Sequence, residues 1–402
     1  MQILYLTHGF PFPLTSGYLR HYYLIRELAR RHRITLVSSV RPGFQTAHAE
    51  AMAPFVDRVL TFASQARGAT PAHRVVRRVR ASLCGDGVFR RMHAALQTTL
   101  RSVAFDAVVL SGRPTYRAVA GLALPPMVAD LCDATLIRLK GEQEHAHAIR
   151  RAALWLDGLE VRRSERAILT RADHVLFASM RDRRAVPEAA HASVLPNGVD
   201  LEYWQRTRPT LGPATVVFTG AMNYAPNVDA ALHLAQDIFP LVRRAVPSAR
   251  LVLVGHSPPP SLVRAGAMPG ITVTGFVDDV RTYLQAATVF AAPIRFGAGI
   301  QNKLLEALAM ELPVVTTPVA ADGLTAEDGT RPPVHIATTA EQLASAIALE
   351  LVRRADCPAP LADGRDYVRR HFSWARSGDR LDAILTNAVN GRRAVPDAVA
   401  HA

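Results

Sequence analysis

Short runs of β-branched and other apolar residues alternate along this 402-residue chain with amphipathic helical stretches, and the alternation occurs twice. The pattern is typical of parallel sheets whose strands are joined by crossover helices. The first series predicts strands at Gln2–Leu6, Ile34–Ser38, Arg58–Thr61, Ala107–Leu110, Met127–Leu131 and His174–Ala178. The second predicts strands at Thr215–Thr219, Arg250–Val254, Ile271–Thr274, Thr288–Ala292, Pro313–Thr317 and Val334–Ala337.

The break between the two series is a turn sequence, Pro196-Asn197-Gly198-Val199-Asp200. A hydrophobic content of 49% allows two cores of roughly 150 to 200 residues each. We therefore expect an α/β protein made of two Rossmann-like domains that face each other across a cleft. The predicted domains are 1–198 and 199–371, and a terminal helix over 372–390 is expected to pack back on the first domain.

Composition bears on the cellular location of the protein and on the oxidation state of its cysteines. No stretch of 18 apolar residues is present, and Ile3–Leu6 is too short and too weakly charged at its front for a signal peptide. Three widely spaced cysteines, Cys84, Cys132 and Cys357, fit reduced thiols and offer no disulfide framework. We expect a soluble cytoplasmic protein.

The positive charge is concentrated in the first half. Residues 1–200 contain 28 Lys and Arg against 16 Asp and Glu, whereas the remainder contains 19 against 18. This field favours an anionic membrane surface at the inner face of the membrane, or a phosphorylated acceptor, as partner; a solvated helix face is the alternative. Nucleic acid is not expected, because interleaved aromatic residues are few. Part of this positive charge forms a basic run, which consists of Arg74, Arg77, Arg78, Arg80, Arg90 and Arg91.

Ligands of doubly wound sheets bind at the carboxyl ends of the strands, so the loops there are the candidate sites. The first loop, Thr7–Gly17, leads into a helix with Arg20 and His21 in its first turn. Asp130 and Asp133 follow another buried strand. We predict acceptor contacts from Gly17, Arg20, Asp130 and Asp133; a capping or turn role for the two aspartates is the alternative. His8 and His21 are assigned no role as general base.

The loop that opens the second domain is Val217–Asn227. Gly220 is expected to leave room for a ligand, because a residue without a side chain allows close approach. Asn223 and Tyr224 are candidate hydrogen-bond donors to that ligand.

The most informative loop is Pro293–Leu308, in which Gly297 and Gly299 precede a helix that carries Lys303 and Glu306. Exposed amides and the positive end of the helix dipole, together with Arg295 and Lys303, are suited to hold a diphosphate. Only Lys140 and Lys303 among the 47 basic residues are lysines. A compact ammonium in place of the usual arginine favours a specific requirement at position 303; chance retention is the alternative.

The order of these motifs resembles retaining glycosyltransferases of the GT-B fold, of the group 1 or family 4 type. Val254-Gly255 and the run Thr274–Val280 belong to the same series. Within that group the chain is most similar to bacterial enzymes of exopolysaccharide and surface-glycan assembly. The resemblance runs over nearly the whole chain and is most specific between residues 216 and 324.

The resemblance implies roles for individual residues. Glu306 would bind the ribose hydroxyls, and the Gly297–Ile300 loop would lie against the sugar and diphosphate, with Leu305 counted among the donor-binding residues. The backbone near Phe276 and Val277 would receive the base. Arg295 and Lys303 would balance phosphate charge as catalytic cations. The implied co-substrate is a UDP- or GDP-sugar, and the implied acceptor is a carbohydrate or a lipid-linked hydroxyl compound. No cofactor or metal is expected.

Two departures from the family pattern bear on function. The first glutamate of the Glu-x7-Glu motif is replaced by Ala298, and the Arg and Lys that follow the Gly220 strand in relatives are absent. The motif therefore does not determine the identity of the donor sugar. Two other functions also stay open, namely a sugar-nucleotide epimerase of the same architecture and a catalytically inactive subunit that binds a nucleotide sugar.

Overall fold

Two parallel sheets organise the chain in the computed structural model, which describes residues 1–14, 18–64, 87–207, 213–356 and 362–393. Gly17, Arg74, Arg77, Arg78, Arg80, Cys84 and Cys357 lie outside the described residues. Cys132 is a free thiol, partly buried at the end of a strand.

The first sheet has seven strands in the order β3-β2-β1-β4-β5-β6-β7, and all its neighbouring pairs are parallel. Its strands are nearly continuous apolar runs because helices cover both faces of a parallel sheet. The strands are β1 (Gln2–Thr7), β2 (Arg33–Val40), β3 (Arg58–Ala63), β4 (Ala107–Ser111), β5 (Met127–Cys132), β6 (His174–Phe177) and β7 (Ala192–Val194). The α-helices are α1 (Leu19–Leu28), α2 (Thr46–Glu50), α3 (Gly87–Ser102), α4 (Tyr116–Val119), α5 (Thr135–Glu144), α6 (Ala148–Arg171) and α7 (Met180–Arg184).

The second sheet has six parallel strands in the order β10-β9-β8-β11-β12-β13. One buried cluster fills the space between this sheet and its helices. The strands are β8 (Thr215–Thr219), β9 (Arg250–Val254), β10 (Ile271–Gly275), β11 (Val289–Ala292), β12 (Val314–Thr316) and β13 (His335–Ile336). The helices are α8 (Ala225–His233), which continues through a π-turn at Leu234–Ile238, α9 (Phe239–Ala245), α10 (Pro260–Ala265), α11 (Arg281–Ala286), α12 (Asn302–Ala309), α13 (Pro318–Asp322), α14 (Ala340–Asp356), α15 (Ala362–His371) and α16 (Trp374–Arg393).

The strand order confirms the predicted fold class, two Rossmann-like α/β domains. Each of the twelve predicted strands is present with small shifts at its ends, and β7, only three residues long, is an addition. In both sheets the chain reverses its direction of winding, between β1 and β4 and again between β8 and β11. Ligands of such sheets bind at these switch points, and they therefore locate the candidate site.

The last helix returns from the second domain to the first. The ring of Trp374 stacks on Tyr23 of α1 with centroids 4.8 Å apart, and Leu381, Leu385 and Val389 are buried in the first-domain core. Asp379 accepts a hydrogen bond from Arg31 at 2.8 Å. The amide of Val199, at the start of the second domain, donates to the carbonyl of Phe372, so the hinge and the returning chain lie side by side.

Among the described residues, no helix combines the length and apolar character needed to cross a membrane.

Candidate active site in the cleft between the sheets

The loops that follow the switch-point strands face each other across the interdomain cleft. On the second-domain side they are the loop after β8 and the segment between β11 and α12. Asn197 of the hinge donates a hydrogen bond to the side-chain oxygen of Asn302 at 2.8 Å. The first turn of α12 is thereby held at the seam between the domains.

The amino end of α12 is suited to bind an anion. The Leu304 amide donates to the Gln301 carbonyl at 2.9 Å, but the N-cap residue Gln301 makes no side-chain cap, so the amides of Asn302 and Lys303 lack the usual side-chain partner. Gly299 has a φ of +71°, a conformation that glycine adopts without strain, and this turn directs the chain into the helix. Unsatisfied amides and the helix dipole attract phosphate groups at such a terminus.

Lys303 supplies a positive charge in the first turn of α12. Its ammonium donates to the side-chain oxygens of Asn227 at 2.8 Å and Gln301 at 2.9 Å. Burial lowers the pKa of Lys303 to about 8, an effect that the charge of Glu306 opposes. Burial also raises the pKa of Glu306 to about 7. Both groups therefore change charge near neutral pH.

The space beside Gly220 is taken by protein, which corrects the expectation that it admits a ligand. A Cβ at Gly220 would lie 2.7 Å from the amide nitrogen of Asn227. That side chain also donates to the carbonyl of Ala221 at 3.0 Å and accepts from Lys303. Gly220 therefore allows Asn227 to reach the ammonium. Asn223 is exposed in the same loop, and its role as a donor-binding residue stays a prediction.

Arg295 is paired with a carboxylate, which is at odds with its expected role as a catalytic cation. Its Nε donates to Asp229 of α8 at 2.8 Å, and an Nη donates to the other oxygen of the same carboxylate. The carboxylate neutralises the guanidinium, and the arginine side chain is 38% exposed. The pair joins the Pro293–Gln301 segment to α8 but adds no net charge to the cleft.

Two residues of α7 reach across the cleft to the Gly297–Ile300 loop, which precedes α12. The carboxylate of Asp182 accepts the amide N–H of Gly299 at 3.1 Å as well as that of Ala134 at 3.0 Å. Arg181 donates to the carbonyls of Gly297 and Val319, each at 3.1 Å. The Gly299 amide, expected to contact the donor, is thus bound to an anionic side chain of the first domain. Burial raises the pKa of Asp182.

Asp133 lies at the cleft surface opposite this loop. A Cβ at Gly299 would approach its Cβ to 3.4 Å. Arg113, which follows β4, donates to Asp133 at 3.2 Å and to Glu165 of α6 at 2.9 Å. Tyr224 of the second domain is partly buried nearby, and burial raises its pKa to about 12. The acceptor contact of Asp133 stays a prediction. The structure places this residue in the wall of the cleft.

Arg20 and Asp130 bind each other in the interior instead of facing an acceptor, so the structure contradicts the role predicted for them. Their exposures are 2% and 1%. Arg20 donates to Asp130 at 2.7 and 3.2 Å, and to the Leu195 carbonyl and the Asn197 side chain at 2.8 Å each. All the polar atoms that would reach an acceptor are engaged. The cluster ties α1 and β5 to the hinge.

The remaining donor-side residues differ in exposure. Phe276 is 68% exposed after β10, while Val277 and Ile300 are partly buried at the edge of the second-domain core. Leu305 is fully buried in that core, so its side chain does not reach the cleft. The prediction that this side chain binds the donor is therefore wrong. Glu306 is partly buried one position further along the helix.

The histidines of the cleft are engaged in the protein interior. His21 bridges the hydroxyls of Tyr5 and Ser111, and burial lowers its pKa to about 3. The ring of His8 fills the space that a Cβ at Gly112 would occupy. No cluster of metal-ligating side chains is found in the part of the chain that the structure describes.

Sequence reasoning missed Arg181, Asp182, Asn227 and Gln301. One local signal was present for Asp182, because the spacing of Ser179 and Asp182 is that of a helix N-cap, and Ser179 does cap α7. The contact of Asp182 with Gly299 spans 117 positions and left no trace in the sequence pattern.

Two Rossmann-like domains with facing switch points define the GT-B class of fold. Solved structures support this assignment. Sucrose-phosphate synthase from Thermosynechococcus elongatus superposes with a TM-score of 0.67 at 15% identity, covering 97% of this chain and 99% of that one. The Anabaena protein HepE, solved with UDP and glucose, gives 0.65 at 14% identity, covering 96% and 100%.

The second domain is similar in sequence to known proteins. Residues 213–351 match the family model described as Glycosyl transferases group 1. A GDP-mannose-dependent alpha-(1-6)-phosphatidylinositol monomannoside mannosyltransferase of Mycobacterium tuberculosis is 29% identical over 246 residues. The alignment covers 54% of this chain and 62% of the relative, less than two thirds of its length.

Proposed function

We propose that this protein transfers a glycosyl group from a nucleoside diphosphate sugar to a hydroxyl acceptor, with retention of configuration and without a metal ion. The donor nucleotide is UDP or GDP, and the acceptor is a carbohydrate or lipid-linked compound of surface-glycan or glycoconjugate synthesis. The observation that carries the proposal is the uncapped amino end of α12 with the Lys303 ammonium beside it, at the switch point of the second sheet.

The chemistry follows from charge development. As the bond from the sugar to the diphosphate breaks, negative charge grows on the leaving phosphate, and fixed amides and an ammonium already in place stabilise it. Lys303 donates only to the neutral amide oxygens of Asn227 and Gln301 in its two hydrogen bonds, so its charge remains available. Glu306 lies on the same helix, where its carboxylate would accept hydrogen bonds from the ribose. Asp133 would meet the acceptor on the opposite wall.

The first test is ligand-dependent stability. A ligand that binds only the folded state at a hundred times its Kd stabilises it by about 2.7 kcal/mol. We expect UDP or GDP, and their sugar conjugates, to raise the Tm, whereas the nucleoside alone does so less because it lacks the diphosphate. Absence of a shift with every nucleoside diphosphate at millimolar concentration would remove the donor-site assignment.

The pH dependence of nucleotide binding provides a second test. Since the pKa of Lys303 is lowered to about 8, the ammonium is lost as pH rises through 8. If only the charged form holds the diphosphate, the Kd for the nucleotide is about eightfold weaker at pH 9 than at pH 7.5. Calorimetric titration measures this. Lys303→Arg keeps its charge at both pH values and should flatten the profile; an unchanged profile in that variant argues against Lys303 as the titrating group.

A nucleotide-sugar-binding subunit without transferase activity is the second candidate, favoured by Ala298 in place of the first glutamate of the donor motif. Nucleotide binding without turnover across a broad acceptor panel would support it. An epimerase is separated from both by product analysis, because it converts the donor when no acceptor is present.

A further inference from the structure

The first half of α6 presents a row of large apolar side chains to solvent. Ile149 is 82% exposed, Trp155 and Leu156 are each 59% exposed, and Leu159 is 47% exposed. Nothing in the described part of the chain covers them. Exposed apolar residues in isolation are ordinary, but a contiguous group on one element marks an interaction surface.

The row lies along one side of the helix. Positions 149, 152, 156 and 159 follow helical spacing, and Trp155 lies beside them on the same exposed side. From 148 to 159 the helix extends about 18 Å. The opposite side is anchored in the protein by buried residues, among them Leu154 and Ile168.

The exposed side of α6 becomes basic beyond Leu159. Arg162, Arg163 and Arg166 are exposed there, and Arg151 is exposed at the other end of the row. The acidic residues of the helix do little to offset them: Glu165 is buried against Arg113, Glu160 pairs with Arg117 and Asp157 is partly buried. Within the described part of the chain, the surface therefore combines an apolar row with arginines that make no ion pair to a carboxylate.

This surface begins beside the mouth of the cleft. His145, three residues before α6, stacks on Phe296, in the segment between β11 and α12, with ring centroids 5.4 Å apart. In the preceding helix, a Cβ at Gly141 would lie 2.6 Å from the Phe296 side chain. Whatever binds the apolar row is therefore held close to the candidate active site.

We propose that the exposed side of α6, defined by Ile149, Trp155, Leu156, Leu159, Arg162, Arg163 and Arg166, docks on a lipid bilayer that carries anionic headgroups. The apolar side chains enter the boundary between headgroups and acyl chains, and the arginines reach the headgroup phosphates. The first 200 residues carry 28 Lys and Arg against 16 Asp and Glu, so the surrounding field has the same sign. A self-association surface would require acidic groups to match these arginines, and this side of α6 does not provide them.

Docking would bring the cleft to the membrane surface, where the hydroxyl of a lipid-linked acceptor is found. This last step rests on the proposed function. The docking itself does not, because bilayer binding is measured without donor, acceptor or turnover.

The test is co-sedimentation of the full chain with vesicles. Vesicles of phosphatidylcholine mixed with phosphatidylglycerol are compared with vesicles of phosphatidylcholine alone. We expect binding to the anionic vesicles. The partition coefficient should fall about tenfold or more in Trp155→Ser/Leu156→Ser/Leu159→Ser and about a hundredfold in Arg162→Gln/Arg163→Gln/Arg166→Gln.

The matched control is Leu349→Ser/Val352→Ser on α14 of the second domain, where both side chains are about half exposed, 53% and 52%. This variant should bind vesicles like the unaltered protein. Circular dichroism and the Tm establish that each variant is folded. Unaltered protein that stays in the supernatant with anionic vesicles overturns the proposal, and so does vesicle binding that survives both α6 variants. A dimer in light scattering that the apolar variant dissociates, without vesicle binding, assigns the surface to a second copy instead.

Discussion

In the proposed glycosyl transfer, Lys303→Ala is expected to lower kcat by a factor of about 10² to 10³, the usual loss when one fixed group that stabilises developing charge is removed. Lys303 is oriented by Asn227 and Gln301 at 2.8 and 2.9 Å and lies in the first turn of the helix whose amides face the cleft. Its charge matters most as the diphosphate leaves, so kcat should fall more than the KM for the donor rises. Steady-state kinetics with the donor identified by thermal shift measures both constants.

Arg295→Ala is the informative comparison, because this arginine is the other cation of the same loop. Its guanidinium is neutralised by Asp229, and its side chain is 38% exposed. Because the pair adds no net charge to the cleft, the loss of activity should stay below about fivefold, or about 1 kcal/mol in the activation free energy. Lys303→Met retains the aliphatic stem and tests whether packing explains the effect. Equal losses in the alanine variants at 295 and 303, or near-normal turnover in Lys303→Met, would refute the assignment of the charge to Lys303.

The fold was predictable because its signals are local. Apolar runs such as Gln2–Leu6 and Thr215–Thr219 have the length and residue types of buried parallel strands, and the turn at Pro196–Asp200 separates the two series. The strand β7, three residues long, is too short to produce such a signal. The apolar and aromatic residues that follow Phe372 also predict a terminal helix.

The sequence indicates which loops form the candidate site but not the contacts of their residues. The loop that contains Gly299 and Lys303 was identified from its glycines, its lysine and the helix that follows. The partners of these residues were not, because pairing over long sequence distances leaves no periodic signal. Arg20 pairs with Asp130, which is 110 positions away in the sequence. In the sequence alone, Arg20 is only a polar residue at the start of a helix, and Asp130 is only a polar residue near the end of a strand. Leu305 differs, since the spacing of Leu304, Leu305 and Leu308 already indicates the buried side of α12.

Arg20→Ala is expected to lower the free energy of unfolding by about 3–5 kcal/mol, because it leaves the carboxylate of Asp130 buried without its cation. Asp130 is 1% exposed, and the same substitution frees the Leu195 carbonyl and the Asn197 side chain from bonds of 2.8 Å. The hinge should loosen together with the first domain. Urea denaturation followed by circular dichroism measures the change. Arg30→Ala is the matched control, because Arg30 lies just beyond the carboxyl end of α1 and its side chain is 69% exposed in a surface pair with Glu27. Its loss should cost about 0.5 kcal/mol or less.

The double variant Arg20→Ala/Asp130→Ala separates the cost of an unpaired charge from the value of the pair. If the buried carboxylate is what destabilises Arg20→Ala, removing it as well should recover part of the lost stability, and the double variant should be less destabilised than the sum of the two single variants. A purely additive result would mean that the two residues act independently, and would contradict an energetic role for their hydrogen bonds of 2.7 and 3.2 Å. A loss below about 1 kcal/mol in Arg20→Ala would place the guanidinium in contact with solvent, and would return Arg20 and Asp130 to the acceptor side of the cleft.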